Sequence, residues 1–152
     1  MGRVIVTRPA REAQEWVRGL AAVGLDAVSL PLIEIRPVAD ASGVVAAWEG
    51  ISSRHAVMFV SGNAASAFMA VRPAVAAACA WPRAWATGPG TRAALVEAGW
   101  PEGLIDSPDA GAGNFDSEAL WQLVGAGVQP GAQVLIVRGI DAGNGSLGRG
   151  WL

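Results

Sequence analysis

Short apolar runs rich in β-branched residues recur at residues 3–7, 26–30, 56–60, 83–87, 104–107 and 133–138, and most intervals between them carry a helical pattern. A helix between two strands returns the chain to the same end of the sheet, so strands joined in this way run parallel. The alternation therefore predicts an α/β protein built on parallel sheet. The first helix is expected over residues 11–23, where Ala13, Trp16, Val17, Leu20 and Val23 form one apolar stripe and Gly24 ends it. Further helices are expected over 42–48, 63–71, 91–98 with Gly99 as terminator, and 117–124, which buries Leu120, Leu123 and Val124. Another starts at Pro73, a favourable first-turn residue.

Residues 31–38 break the alternation. Pro31 and Pro37 bracket Leu32-Ile33-Glu34-Ile35, and proline cannot donate to a sheet ladder, so an extended linker or edge strand is expected there, with a domain boundary. The chain then divides into a βαβ part over 1–30, the linker 31–38 and an α/β domain over 39–152. A length of 152 residues allows one complete domain, or one domain and part of another. With 52% hydrophobic and 16% charged residues, the composition is that of a folded chain. The formal charge is −2 and the 11 basic residues, all arginine, form no block, which argues against a nucleic-acid partner. The longest apolar run, residues 74–81, stops at Pro82, well short of the roughly 18 residues a membrane span requires. Only a short apolar run, residues 4–6, lies near Met1, too short for a secretion signal, so a cytoplasmic protein that begins here is expected.

One histidine and one cysteine cannot assemble a His/Cys metal cluster, so metal and thiol catalysis are not expected. Cys79, in an alanine-rich run, reads as a buried small hydrophobe. A serine triad is excluded by geometry, because His55 enters a strand that Ser61 leaves, and six residues at about 3.3 Å each set them roughly 20 Å apart. The glycines do not make a dinucleotide fingerprint, and a chain without lysine has no phosphate-loop lysine.

What remains is a set of loops at the carboxyl ends of strands, where open parallel sheets bind ligands. They are Thr7-Arg8-Pro9, Ser61-Gly62-Asn63-Ala64, Gly88-Pro89-Gly90-Thr91, Ser107-Pro108 with Phe115-Asp116-Ser117-Glu118, and Arg138-Gly139. Helix N-termini present free N–H groups and partial positive charge, which suits a ligand with several carboxylates. Local structure alone accounts for several of these residues, and does so better than catalysis: Asn63, Thr91 and Ser117 are good N-caps, and Asp116 and Glu118 fit first-turn acids better than general acids. Arg8 and Arg138 end strands on the ligand side, where a guanidinium can pair bidentately with a carboxylate or remain solvated. Of the seven tryptophans, Trp16, Trp85 and Trp121 fit core or helix-to-sheet packing.

In order and spacing, Val6-Thr7-Arg8-Pro9, Leu30-Pro31-Leu32-Ile33-Glu34-Ile35, Phe59-Val60-Ser61-Gly62-Asn63-Ala64, Gly88-Pro89-Gly90-Thr91 with Leu95 and Gly99, Pro108, Ser117-Glu118-Ala119-Leu120 and Val134-Leu135-Ile136-Val137-Arg138-Gly139 resemble uroporphyrinogen-III synthases. The resemblance implies a hydro-lyase of tetrapyrrole and heme biosynthesis that uses no cofactor. Its substrate is the linear tetrapyrrole hydroxymethylbilane, which it cyclises to uroporphyrinogen III with inversion of ring D. The route implied is loss of hydroxide to an azafulvene, attack on the substituted carbon of ring D to give a spiro intermediate, then fragmentation and reclosure. Carried over by position, Arg8, Pro9, Ser61, Asn63, Thr91, Ser117, Arg138 and Gly139 would bind substrate, and Thr91 would orient it or relay a proton.

The resemblance further implies two α/β domains, the first discontinuous: residues 1–30 would be its βαβ part, and 39–152 an incomplete three-layer second domain. This sequence would stop before the chain returns to the first domain, and it has no tyrosine where the family carries one near that return. A truncated chain, weakly active or inactive alone, is the expectation. Also implied are a monomer when full length and transient contact with the preceding enzyme of the pathway. The competing expectation is a non-enzymatic module of the same descent that binds an anionic ligand or a partner.

Overall fold

The computed structural model describes residues 2–109, 111 and 115–140, in two compact units, Met1–Val38 and Ala39–Leu152. In the first, β1 (Val4–Val6), α1 (Ala10–Ala22) and β2 (Ala27–Ser29) form a βαβ unit with β1 and β2 parallel, Ile5 opposite Val28. α1 ends in a Schellman turn: Gly24, at φ 81°, donates to the Ala21 carbonyl and Leu25 donates to that of Leu20. Residues 31–38 form no strand and are exposed throughout.

The stripe on α1 is wider than the sheet beneath it. Two strands about 4.8 Å apart cannot cover a helix about 10 Å across. Ala13 is fully buried and Val17 and Leu20 are half-buried, whereas Trp16 remains 54% exposed, with the Arg8 guanidinium 5.9 Å from its ring centroid. The expected core placement of Trp16 is thus corrected.

The second unit contains α2 (Ser42–Glu49), β3 (Ala56–Phe59), α3 (Gly62–Ala70), β4 (Arg83–Ala86), α4 (Pro89–Glu97), β5 (Ile105–Asp106), α5 (Ser117–Val124) and β6 (Val134–Val137). Its four strands are all parallel, in the order β5-β4-β3-β6. Side chains alternate between the two faces. Val57, Phe59, Ala84 and Ala86 pack with Trp48 of α2, Phe68 of α3 and Leu95 of α4. Ala56 and Trp85 pack on the other face with Leu120 of α5. Helices cover both faces, so the unit is a three-layer α/β sandwich.

An aromatic cluster fills the larger core. Phe59 meets Phe68 and Trp100 edge-on, with centroids 5.7 and 5.5 Å away, and Trp81 lies 4.6 Å from Trp100. Trp100 is planted there by a second Schellman turn, in which Gly99 donates to Val96 and Trp100 to Leu95.

Three local expectations are corrected. Trp121 is exposed, because α5 buries Leu120 and turns its neighbour outward; Leu123 is exposed as well. The stretch after Pro73 makes only a 3-10 turn, Ala74–Ala78, where the Arg72 side chain takes the Ala76 carbonyl and Pro82 soon follows. Cys79 is half-buried at the rim of the core rather than fully inside it.

Two outcomes follow from this packing. Phe59→Ala should lower stability by about 3–5 kcal/mol in urea unfolding. Exposed apolar side chains in the first unit, among them Ile5 (56%) and Leu32 (71%), should bind a hydrophobic dye, and the signal should fall in the Ile5→Thr, Leu32→Ser double variant.

Candidate ligand-binding edge of the parallel sheet

Strand order fixes where a ligand can enter. From β3 the chain steps outward to β4 and β5, then returns past them to place β6 on the other side of β3. The loops after β3 and β6 therefore leave adjacent strands at a topological switch point, and in open parallel sheets the crevice at such a point, beyond the carboxyl ends, receives ligands. Ser61 and Asn63 stand on one side of it, Arg138 and Gly139 on the other. Its floor is closed by the Val60 N–H donating to the Val137 carbonyl at 3.2 Å.

Two glycines draw neighbouring loops to this edge. A Cβ on Gly62 would lie 3.3 Å from Ala94 Cβ and 3.4 Å from the Gly90 carbonyl, so α3 and α4 begin in close contact, with Thr91 beside that contact. A Cβ on Gly88 would lie 3.0 Å from Phe115 Cβ, which places Phe115, two residues before α5, over the end of β4. The Thr87 hydroxyl ties β4 back to β3 by donating to the Val60 carbonyl at 3.3 Å.

Helix caps fall elsewhere than expected. Ser61 caps α3, its Oγ accepting from Ala64 N–H at 3.2 Å, and Asn63 is an exposed second helical residue. Asp116 caps α5 by accepting from Ala119 N–H at 2.9 Å, so Ser117 is the first helical residue and exposed. α4 starts after Gly88 with no side-chain cap, which leaves Thr91 as its third residue. None of Asn63, Thr91 and Ser117 is an N-cap: α3 and α4 begin one and two residues earlier than expected, and at α5 the residue before Ser117 takes the cap.

Thr91 is only 6% exposed, and its hydroxyl makes no hydrogen bond to another described residue. Arg138 is exposed and has no ion-pair partner among the described residues. Arg8 and Pro9 belong to the first unit, at the turn from β1 to α1. There Arg8 is 3.0 Å from Glu12, and the Pro9 carbonyl accepts from Ala13. A site joining Arg8 to the edge of the second unit remains an expectation from the sequence.

The α5 end is electrostatically unlike the α4 end. Asp116, expected as a first-turn acid, is instead the N-cap of α5, and Glu118 alone is the acid in its first turn, whereas the N–H groups of Gly90 and Thr91 open α4 without a competing side chain. The start of α4 is therefore the more electropositive of the two helix ends. Phe115 was not singled out in the sequence; an aromatic residue within a glycine-rich polar loop at a carboxyl end was the available signal.

A three-layer parallel domain with a mixed apolar and anion-receptive carboxyl edge is the class to which these features belong. Residues 14–145 match the model of the uroporphyrinogen-III synthase HemD family, which covers most of the chain, and the protein belongs to that family. Comparison with curated proteins found no match. Among the described residues no helix is long and apolar enough to cross a membrane, and no three His, Cys, Asp or Glu side chains are grouped to hold a metal.

The capping assignments can be checked by urea unfolding. Ser61→Ala and Asp116→Ala should each cost about 1 kcal/mol, while Thr91→Val should show no loss of cap energy. A cost at Thr91 equal to those at the two caps would return capping to Thr91.

Proposed function

We propose that the protein binds the linear tetrapyrrole hydroxymethylbilane at the carboxyl edge of its four-stranded sheet and promotes its closure to uroporphyrinogen III, with inversion of ring D. The observation that carries this reading is the family match over residues 14–145, joined to the gathering of Ser61, Asn63, Thr91 and Arg138 at one end of one sheet. The reaction needs little covalent help. Hydroxide leaves the terminal hydroxymethyl carbon, the resulting azafulvene is attacked by the substituted carbon of ring D, and fragmentation and reclosure of the spiro intermediate invert that ring.

The chemistry therefore rests on holding the curled chain and receiving its anionic groups. Arg138 and the open N–H groups of α4 meet carboxylates, with Ser61, Asn63 and Gly139 alongside. The sheltered Thr91 hydroxyl is the group suited to orient the reacting end or to pass a proton to departing hydroxide. Ser117 stands further along the same edge. In this reading the reaction belongs to the cytoplasmic steps of porphyrin synthesis.

The test is the isomer ratio. Incubated with hydroxymethylbilane, the protein should raise the share of uroporphyrinogen III above that of the protein-free reaction, which closes without inversion. Thr91→Val should lower that share and Thr91→Ser restore it. Arg138→Ala should weaken binding of the product, and by less at high salt, where screening already suppresses the electrostatic part. A protein-free ratio with product still bound would assign the chain instead to a non-enzymatic anionic-ligand-binding module.

A further inference from the structure

We propose that Phe115 is a positioning residue that holds one pyrrole ring of the tetrapyrrole against the carboxyl edge. The inference rests on the function proposed above and adds the contact for the ligand's apolar part. The ring is held from below and open from above. Phe115 Cβ, Cγ and Cδ1 lie 3.0, 3.4 and 3.5 Å from where a Gly88 Cβ would stand, so the side chain rests on bare main chain at the end of β4. It nonetheless remains 46% exposed.

The adjacent backbone is fixed, because Asp116 caps α5 immediately after it. The two other exposed aromatic side chains among the described residues are engaged elsewhere. Trp16 carries the Arg8 guanidinium, and the Trp121 indole lies 2.9 Å from where a Gly125 Cβ would stand. Phe115 alone of the three is at the edge that gathers the loops.

Position and chemistry agree. Arg138 follows β6 and Phe115 covers the end of β4, two strand spacings away, or about 10 Å. Val60, exposed at the end of β3, lies between them. The edge thus offers a cation at one side and an aromatic face at the other, joined by an apolar step. A ligand of flat, electron-rich rings bearing carboxylate arms matches that order, with arms toward Arg138 and a ring toward Phe115. The ordinary role of an apolar residue just before an N-cap is to staple the first turn of its helix, which asks for bulk but not for a ring. Aromatic and aliphatic replacements therefore separate the two roles.

The experiment measures binding of uroporphyrin III, the oxidised and fluorescent form of the product, to the full chain and to Phe115→Leu, Phe115→Tyr and Gly88→Ala, with thermal melts in parallel. Competition with citrate reads the carboxylate contacts alone. Phe115→Leu should bind the porphyrin about three- to ten-fold more weakly, Phe115→Tyr about as well as wild type, and citrate should compete equally in all of them. Gly88→Ala, which leaves Phe115 in place but pushes it from its seat, should weaken porphyrin binding as Phe115→Leu does and serves if the latter does not fold. In turnover, the loss should appear in KM and as a larger share of uroporphyrinogen I. Porphyrin affinity unchanged in Phe115→Leu, or reduced only in step with the melting temperature, overturns this inference and leaves the proposed function standing. A wild type that binds no porphyrin overturns both.

Discussion

Pairing of β3 with both of its neighbours sets the level of everything that follows. Ala56 is opposite Arg83 on one side and Val134 on the other, and Phe59 is opposite Ala86 and Val137. The three strands consequently end together, and the residues that follow, Val60, Thr87 and Arg138, emerge at one height. A slip of one residue in either ladder would turn the side chains of that strand to the other face and remove its loop from the edge. Alanine at 56, 84 and 86 leaves space beside the ladder that Phe59, Trp85 and Trp100 fill, so small residues in the strands and large ones around them secure the same register.

This dependence explains what could be read from the sequence. The six strands lie within the β-branched runs at 3–7, 26–30, 56–60, 83–87, 104–107 and 133–138, shortened at one or both ends, because alternation between two buried faces is a local property of the chain. The helix-ending glycines 24 and 99 were equally legible, since each takes a left-handed conformation that other residues avoid. Caps were not. Each loop carried two or more capping residues, and the choice of Ser61 over Asn63, or Asp116 over Ser117, was made by where the ladder releases the chain. Strand order was hidden for the same reason: nothing near residues 134–137 says that they join β3 rather than β5, and a pairing across more than seventy residues leaves no periodic trace. The contact of Phe115 with Gly88 depends on that order as well.

The arginines of the second unit show how the edge acquires its character. Arg83, at the first position of β4, donates from Nε and Nη2 to the two carboxylate oxygens of Asp106 in β5, and the pairing holds its pKa above the usual arginine value. Arg54 donates to the Gln133 side chain just ahead of β6. Arg72 places its guanidinium 4.2 Å from the centroid of Trp81 and gives a further hydrogen bond to Ala76, while Arg92 is taken by Glu102 and the Ile105 carbonyl. Each of these cations is committed to the fold, and most of them on flanks where strands begin or helices end.

Arg138 is different: it follows β6 at the switch point and, among the described residues, no acid answers it. An exposed guanidinium without a partner contributes little to stability, and Arg138 leaves β6 next to the β3 loop that carries Ser61. At the start of α5 Asp116 already supplies the negative charge that a helix N-terminus favours. In the proposed function Arg138, beside β6, takes the anionic arms of the ligand and Phe115, over the end of β4, takes an apolar ring. A bound molecule with both kinds of surface would have one favoured orientation before any reaction begins.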